Sequence, residues 1–201
     1  MPESKDKIVV GSEEWCALPL LGIPAIKARV DSGARTTAIH AFNIKSFKRG
    51  QVPWVSFEVH PLQKNRRTIV RCEAKVLDKR MVKSSSGIAE KRYVIQTTLE
   101  HDNRSWEIEV TLSNRDSMGY RMLLGREAMI GRILVDPAAS FLGGEVAENT
   151  LELEYADSTR EKSGLNIALL ASNPDLPSNQ RIMEAAEERG HSVSFFDVKQ
   201  C

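Results

Sequence analysis

Short alternating runs of apolar and polar positions dominate the chain from Ile8 to about Tyr155. Val55, Phe57 and Val59 alternate with Ser56 and Glu58, and Trp106, Ile108, Val110 and Leu112 alternate with Glu107, Glu109 and Thr111. Period-two alternation over such lengths predicts half-buried strands. Turn chemistry punctuates the runs at Pro53, His60-Pro61, Asp102-Asn103, Asn114-Arg115-Asp116 and Gly143-Gly144. Only Gly125 to Gly131 predicts a short helix in this stretch. Residues 1–155 therefore read as an all-β barrel or sandwich. Val9, Val10 and Trp15 are expected in its core.

The pattern changes after Tyr155. Residues 156–164 are polar and lack periodicity, which predicts a linker. Leu165–Ala171 then reads as a buried strand, and Ser178–Arg189 as a helix with Ser178 as N-cap and Gly190 at C′. Ser192–Val198 reads as a second strand. Residues 165–201 thus form one β-α-β unit, which cannot cover its own sheet and is expected to be incomplete.

Composition narrows the class. Of 201 residues, 28 are Lys or Arg, 27 are Asp or Glu, and 41% are hydrophobic, a balance that argues against a disordered or polybasic chain. No apolar run approaches the ~20 residues of a membrane span, and the mixed-charge opening residues do not resemble a signal peptide. A soluble cytoplasmic protein is expected. Three scattered cysteines, Cys16, Cys72 and Cys201, offer neither a disulfide framework nor a Cys-x-x-Cys zinc site. Charge is locally uneven. Lys64 to Lys83 holds eight basic residues against Glu73 and Asp78. That excess could draw an acidic substrate, although solvated outer strand faces explain it as well.

The chemistry centres on two motifs. The strand Ile23–Val30 runs into Asp31-Ser32-Gly33-Ala34, where Gly allows a tight turn and main-chain amides can point at the carboxylate. Alone, this triplet reads first as an ordinary Asx turn after a strand. Downstream, the apolar Met122-Leu123-Leu124 ends at Gly125-Arg126-Glu127 and enters the short helix. The pairing resembles the retropepsins, the aspartic proteases of retroviruses, in which the later strand and Gly cross behind the catalytic loop. The runs Val82–Gly87, Trp106–Asp116 and Arg121–Glu127 are similar to the bacterial family labelled ATP-dependent zinc protease, whose members have a retropepsin-like fold. The tail from Leu165 is similar to the start of RimK-type ATP-grasp glutamate ligases.

The resemblance implies a mainly β fold, a closed acid-protease barrel with one short helix followed by a β-α-β fragment. It implies Asp31, Ser32 and Gly33 as the catalytic loop, supported by Leu123, Leu124, Gly125 and Arg126. Substrate contacts are expected from Ala34 and Arg35, and from a hairpin flap at Ser85, Ser86 and Gly87, which a plain loop would explain equally. Only one Asp-Ser-Gly is present, so the dyad of an aspartic protease has to come from a homodimer. Arg35 stands where the viral enzymes carry an acidic residue. An arginine near the dyad would then face an anionic substrate, unless Arg35 is simply the ion-pair partner of Glu127.

The residues depart from the family label. There is no His-Glu-x-x-His, no phosphate-binding loop, and His40, His60, His101 and His191 are widely separated, so neither zinc nor ATP is expected. Cys16 and Cys72 read as core residues rather than nucleophiles. A binding module that regulates a RimK-type ligase or engages a ribosomal protein stays open. So does the weaker reading of an RNA-binding barrel, which lacks interleaved aromatics along Lys64–Lys83.

Overall fold

The computed structural model describes residues 7–83, 87, 89–114, 119–147, 151, 155, 166–188 and 192–198. The chain divides into two compact units, Met1–Tyr155 and Ala156–Cys201.

In the first unit, strands run as β1 (Ile8–Val10), β2 (Glu13–Leu18), β3 (Ile23–Asp31), β4 (Thr37–His40), β5 (Phe42–Arg49), β6 (Val52–Val59), β7 (Val70–Lys83), β8 (Ala89–His101), β9 (Arg104–Ser113) and β10 (Met122–Gly125). A one-turn helix, α1 (Arg126–Met129), and β11 (Ile133–Val135) follow. The main sheet has the order β2-β3-β10-β4-β9-β8-β7-β6-β5, and a further β2–β8 pairing through Ala17 and Glu100 bends its first six strands into a ring. Strands β7, β6 and β5 extend beyond that ring. β1 and β11 form a separate parallel pair.

Alternation decides which face is buried. Val55, Phe57 and Val59 point into the core while Ser56 and Glu58 stay half-exposed, as the period-two pattern demands. Leu18, Ile23, Ile26, Ile95, Leu99 and Leu112 are likewise fully buried. Tyr155 closes this core. Its hydroxyl accepts from the Ala25 amide at 3.3 Å and donates to the Ala25 carbonyl, so a buried polar group is satisfied from both sides. Val9 corrects the expectation of a core residue: it is 52% exposed, because alternation along β1 buries Ile8 and Val10 and turns Val9 outward. Val10 is buried, and Trp15 packs partly buried against the core.

The second unit is a parallel pair, β12 (Asn166–Ala171) and β13 (Ser192–Asp197), joined by α2 (Pro177–Glu188). The helix begins one residue earlier than Ser178, which therefore sits in its first turn and is not its cap. Pro177 suits an opening helical position because its missing N–H would go unbonded there. The amides of Asn179 and Gln180 instead reach the Leu176 carbonyl. Leu165, the expected linker 156–164 and Arg189–Gly190 lie outside the described residues.

No described helix is long and apolar enough to cross a membrane.

Candidate active site

Asp31 closes β3 and stands beside Gly125, its partner in the parallel β3–β10 pairing. Past Asp31 the chain turns sharply, because the carboxylate folds back on its own loop. Its Oδ1 accepts from the Gly33 amide at 2.9 Å and from the Ala34 amide at 3.0 Å. A charge-assisted pair of this kind fixes the carboxylate against the main chain. Ser32, Gly33 and Arg35 are exposed, and Ala34 is half-buried.

The second motif buttresses the loop from behind. The Arg126 amide donates to the Ala34 carbonyl at 2.9 Å and the Glu127 amide to the Arg35 carbonyl at 3.0 Å. The Arg126 guanidinium lies 3.5 and 3.4 Å from the carbonyls of Ser32 and Gly33. Gly125 is buried, and a Cβ there would sit 2.5 Å from the Thr36 carbonyl carbon, so no side chain fits where the two segments cross. Its amide bonds the Thr37 hydroxyl at 3.2 Å, while the Thr111 hydroxyl donates to the Thr37 carbonyl at 3.1 Å. Leu123 and Leu124 are buried on either side of this crossing.

Arg35 is engaged. Its Nε donates to Glu127 Oε1 at 2.7 Å, and the Thr36 hydroxyl donates to the other oxygen at 3.1 Å. The Arg35 bond holds the Glu127 carboxyl below its ordinary range.

A cavity of about 630 Å³ opens at Asp31. The Asp31–Thr36 loop forms one wall. Its floor is the row Thr111, Ala38 and Leu123, which are direct neighbours across β9, β4 and β10. The opposite wall comes from the β7–β8 hairpin, through Arg80, Met81, Val82, Lys83 and Arg92. Gly87, near the hairpin tip, adopts a left-handed φ of 83° that favours glycine. Ser84, Ser85 and Ser86 lie outside the described residues, so the expected flap contacts from Ser85 and Ser86 are not placed. The structure thus brings Asp31, Gly33, Ala34, Arg35 and Leu123 together at one cavity.

Sequence reasoning missed Arg80 and Arg92 as parts of this site. The nearest signal was the turn-bearing Ser84–Gly87 run, which puts a hairpin between the two arginines but leaves its register open. That register is observed, with Lys83–Ala89, Val82–Glu90, Met81–Lys91 and Arg80–Arg92 as pairs.

Among the described residues, no three His, Cys, Asp or Glu side chains are grouped to hold a metal ion. His40 and His101 are buried, and the half-buried His60 stacks on Phe42 at 4.4 Å. His191 lies outside the described residues. Cys16 and Cys72 are both buried. Loss of hydration, reinforced by Glu14, pushes the Cys16 thiol up to about 12.

A mainly β ring in which an Asp-Ser-Gly loop is crossed by an apolar-Gly strand defines a retropepsin-like domain. The chain belongs to the RimB-like family, described as retropepsin-like aspartic endopeptidase RimB, whose family model matches residues 9–145. The RimK PreATP-grasp domain matches residues 165–201. A relative from Shewanella pealeana is 60% identical over 198 residues, covering 98% of this chain and 43% of its own. A Desulfotalea psychrophila relative is 55% identical over 201 residues, covering 100% of this chain and 43% of its own. Both are named "Probable alpha-L-glutamate ligase", and the chain spans less than half their length. The crystal structure of Lpg0085, a Legionella pneumophila protein of unknown function, superposes with a TM-score of 0.57 at 27% identity, covering 67% of this chain and 97% of that one.

Proposed function

We propose that residues 1–155 are an aspartic-type peptidase that works as a homodimer on glutamate-rich peptides or protein tails. The observation that carries this reading is Asp31, a carboxylate fixed by two amides at the wall of a cavity with room for a peptide. Family membership supports it.

Peptide hydrolysis by carboxylates takes two of them sharing one proton, because like charges ~3 Å apart cannot both ionise. Among the described lining residues, Asp31 is the only carboxylate. The second is Asp31 of another copy, across a two-fold axis. The ionised member takes a proton from water as its oxygen attacks the scissile carbonyl carbon, and the protonated member donates to the carbonyl oxygen. The C–N bond then breaks with proton transfer to the leaving nitrogen. With Oδ1 held by the Gly33 and Ala34 amides, Oδ2 is the oxygen that handles this proton.

The tail's match to the RimK PreATP-grasp domain, and the names of the longer relatives, support a linked second role. In this reading the peptidase trims the glutamates that a RimK-type ligase adds. A regulatory module that binds the acidic tail without cleaving it is the reading those same names favour in second place.

Cleavage of a glutamate-rich peptide by the wild-type chain, lost in Asp31→Asn with unchanged circular dichroism, tests the assignment. Sedimentation at the assay concentration tests the dimer, since full turnover by a strict monomer contradicts it. EDTA is expected to leave the rate unchanged, because the described histidines and cysteines stand on separate segments and form no ligand set.

A further inference from the structure

The cavity at Asp31 has a charge arrangement that strand pairing does not require. Its lining carries Arg35, Arg80, Lys83 and Arg92 against the one carboxylate of Asp31 among the described residues. Arg35 is bound to Glu127, and its side chain is 75% exposed. Arg80 and Arg92 are ion-paired as well, and differ from it in standing on the hairpin wall opposite the Asp31 loop. They are direct cross-strand partners, so both side chains leave the hairpin on one face. Like charges placed directly opposite are unfavourable. Arg92 compounds the cost, since its side chain is only 4% exposed and a charge at that depth demands compensation.

Flanking carboxylates hold this arrangement in place. Arg80 Nε donates to Asp78 at 2.8 Å and a terminal nitrogen donates to Glu109, while Arg92 Nε donates to Glu90 at 2.9 Å. Both guanidinium planes are thereby fixed before any ligand arrives. An apolar or opposite-charge pair would serve a hairpin better. Two fixed guanidiniums on a cavity wall instead offer donors in the geometry a carboxylate accepts, at reduced ordering cost.

We propose that Arg80 and Arg92 are specificity-determining residues that bind a side-chain carboxylate of the peptide lying across Asp31. This assignment rests on the peptidase reading above and moves recognition of the acidic residue from the catalytic loop to the hairpin. Arg35, by contrast, holds the loop.

The test uses two peptides of equal length, one glutamate-rich and one with every glutamate replaced by glutamine. The first readout is the ratio of kcat/KM for the acidic peptide over the neutral one. The second is equilibrium binding of the acidic peptide to Asp31→Asn protein by fluorescence anisotropy, which needs no turnover. Arg80→Gln is expected to lower the ratio and the affinity roughly 10-fold, the lower end of a charge-assisted bond. Arg80→Lys, which keeps the charge and loses the fork, is expected to fall between. Arg35→Gln is expected to lower both rates alike and leave the ratio near wild type. An Arg80→Gln protein with wild-type ratio, affinity and melting temperature overturns the assignment, as does a wild type that does not distinguish the peptides. Absence of turnover together with Arg80-dependent binding sinks the peptidase reading and supports the arginine assignment.

Discussion

Gly125 pairs in parallel register with Asp31, and the space a Gly125 side chain would occupy is already filled by the main chain of Thr36 and Thr37. The close approach lets the amides of Arg126 and Glu127 bond the carbonyls of Ala34 and Arg35, so the Asp31 loop is held by main-chain contacts. Gly125→Ala is therefore expected to push the two segments apart. Overpacking of this kind costs about 1–3 kcal/mol. The loss of activity should exceed the loss of stability, because the displaced segment carries Asp31. Urea unfolding and peptide cleavage on the same preparation check this; a variant with wild-type turnover contradicts it.

The Arg35–Glu127 pair predicts a pH dependence. Arg35 holds the Glu127 carboxyl below its unfolded value. A depressed carboxylate contributes stability above its unfolded pKa, and that contribution is lost as pH falls through its folded pKa. The stability gap between wild type and Glu127→Gln should thus be present at neutral pH and close as the pH falls below the ordinary glutamate range. Arg35 is mostly exposed, so the coupling between the two should be under about 1 kcal/mol. A double-mutant cycle of Arg35→Gln and Glu127→Gln at two pH values measures both. A gap that widens in acid has the opposite sign and rules out an ion pair as its source.

The strands were legible in the sequence because one face of each meets the core, which forces a period of two; β6 and β9 are plain instances. The loop at Asp31 was legible only together with the later apolar-Gly run, through the resemblance of that pairing to the retropepsins; the triplet alone reads as an ordinary turn. The cavity's far wall was not. Arg80 lies in a basic run that resembles a solvated strand face, and only its register against Arg92 turns it toward the site. Register belongs to the pairing of two strands and is weakly written in either one. Val9 was misplaced for a related reason: in a three-residue strand, alternation is too short to show which phase is buried.

Cysteine chemistry gives a third expectation. Cys16 is 3% exposed, with its thiol pushed up to about 12 by burial and by Glu14, and Cys72 is also 3% exposed. Thiolate is the reactive form. Iodoacetamide at pH 8 should leave both residues unmodified in the native protein and alkylate both in guanidinium, read by peptide mass mapping. Modification of native Cys16 at a rate near that of an unfolded thiol contradicts its placement in the core.

Glu14 carries the last prediction. It is a fully buried carboxylate, yet its charge has a structural use. Oε1 accepts from the Gly11 amide at 2.6 Å and the Leu142 amide at 2.9 Å, and Oε2 accepts from the Gly143 amide at 3.2 Å. Leu142 and Gly143 lie 128 and 129 residues further along the chain, in the segment that returns over β2, so this carboxylate ties the two ends of the ring domain together. Glu14→Gln preserves shape and volume but replaces one acceptor oxygen with an NH2 donor. With the oxygen kept on Gly11 and Leu142, that donor faces the Gly143 amide, and two donors then oppose each other. Leaving a buried donor without an acceptor costs about 1–3 kcal/mol. The variant should lose that much stability to urea. It should also exchange the Leu142 and Gly143 amides faster in hydrogen–deuterium exchange, while the amides of Gly33 and Ala34 stay as protected as in wild type. Uniformly faster exchange across both regions would mean that Glu14 supports the whole ring and not this one strap.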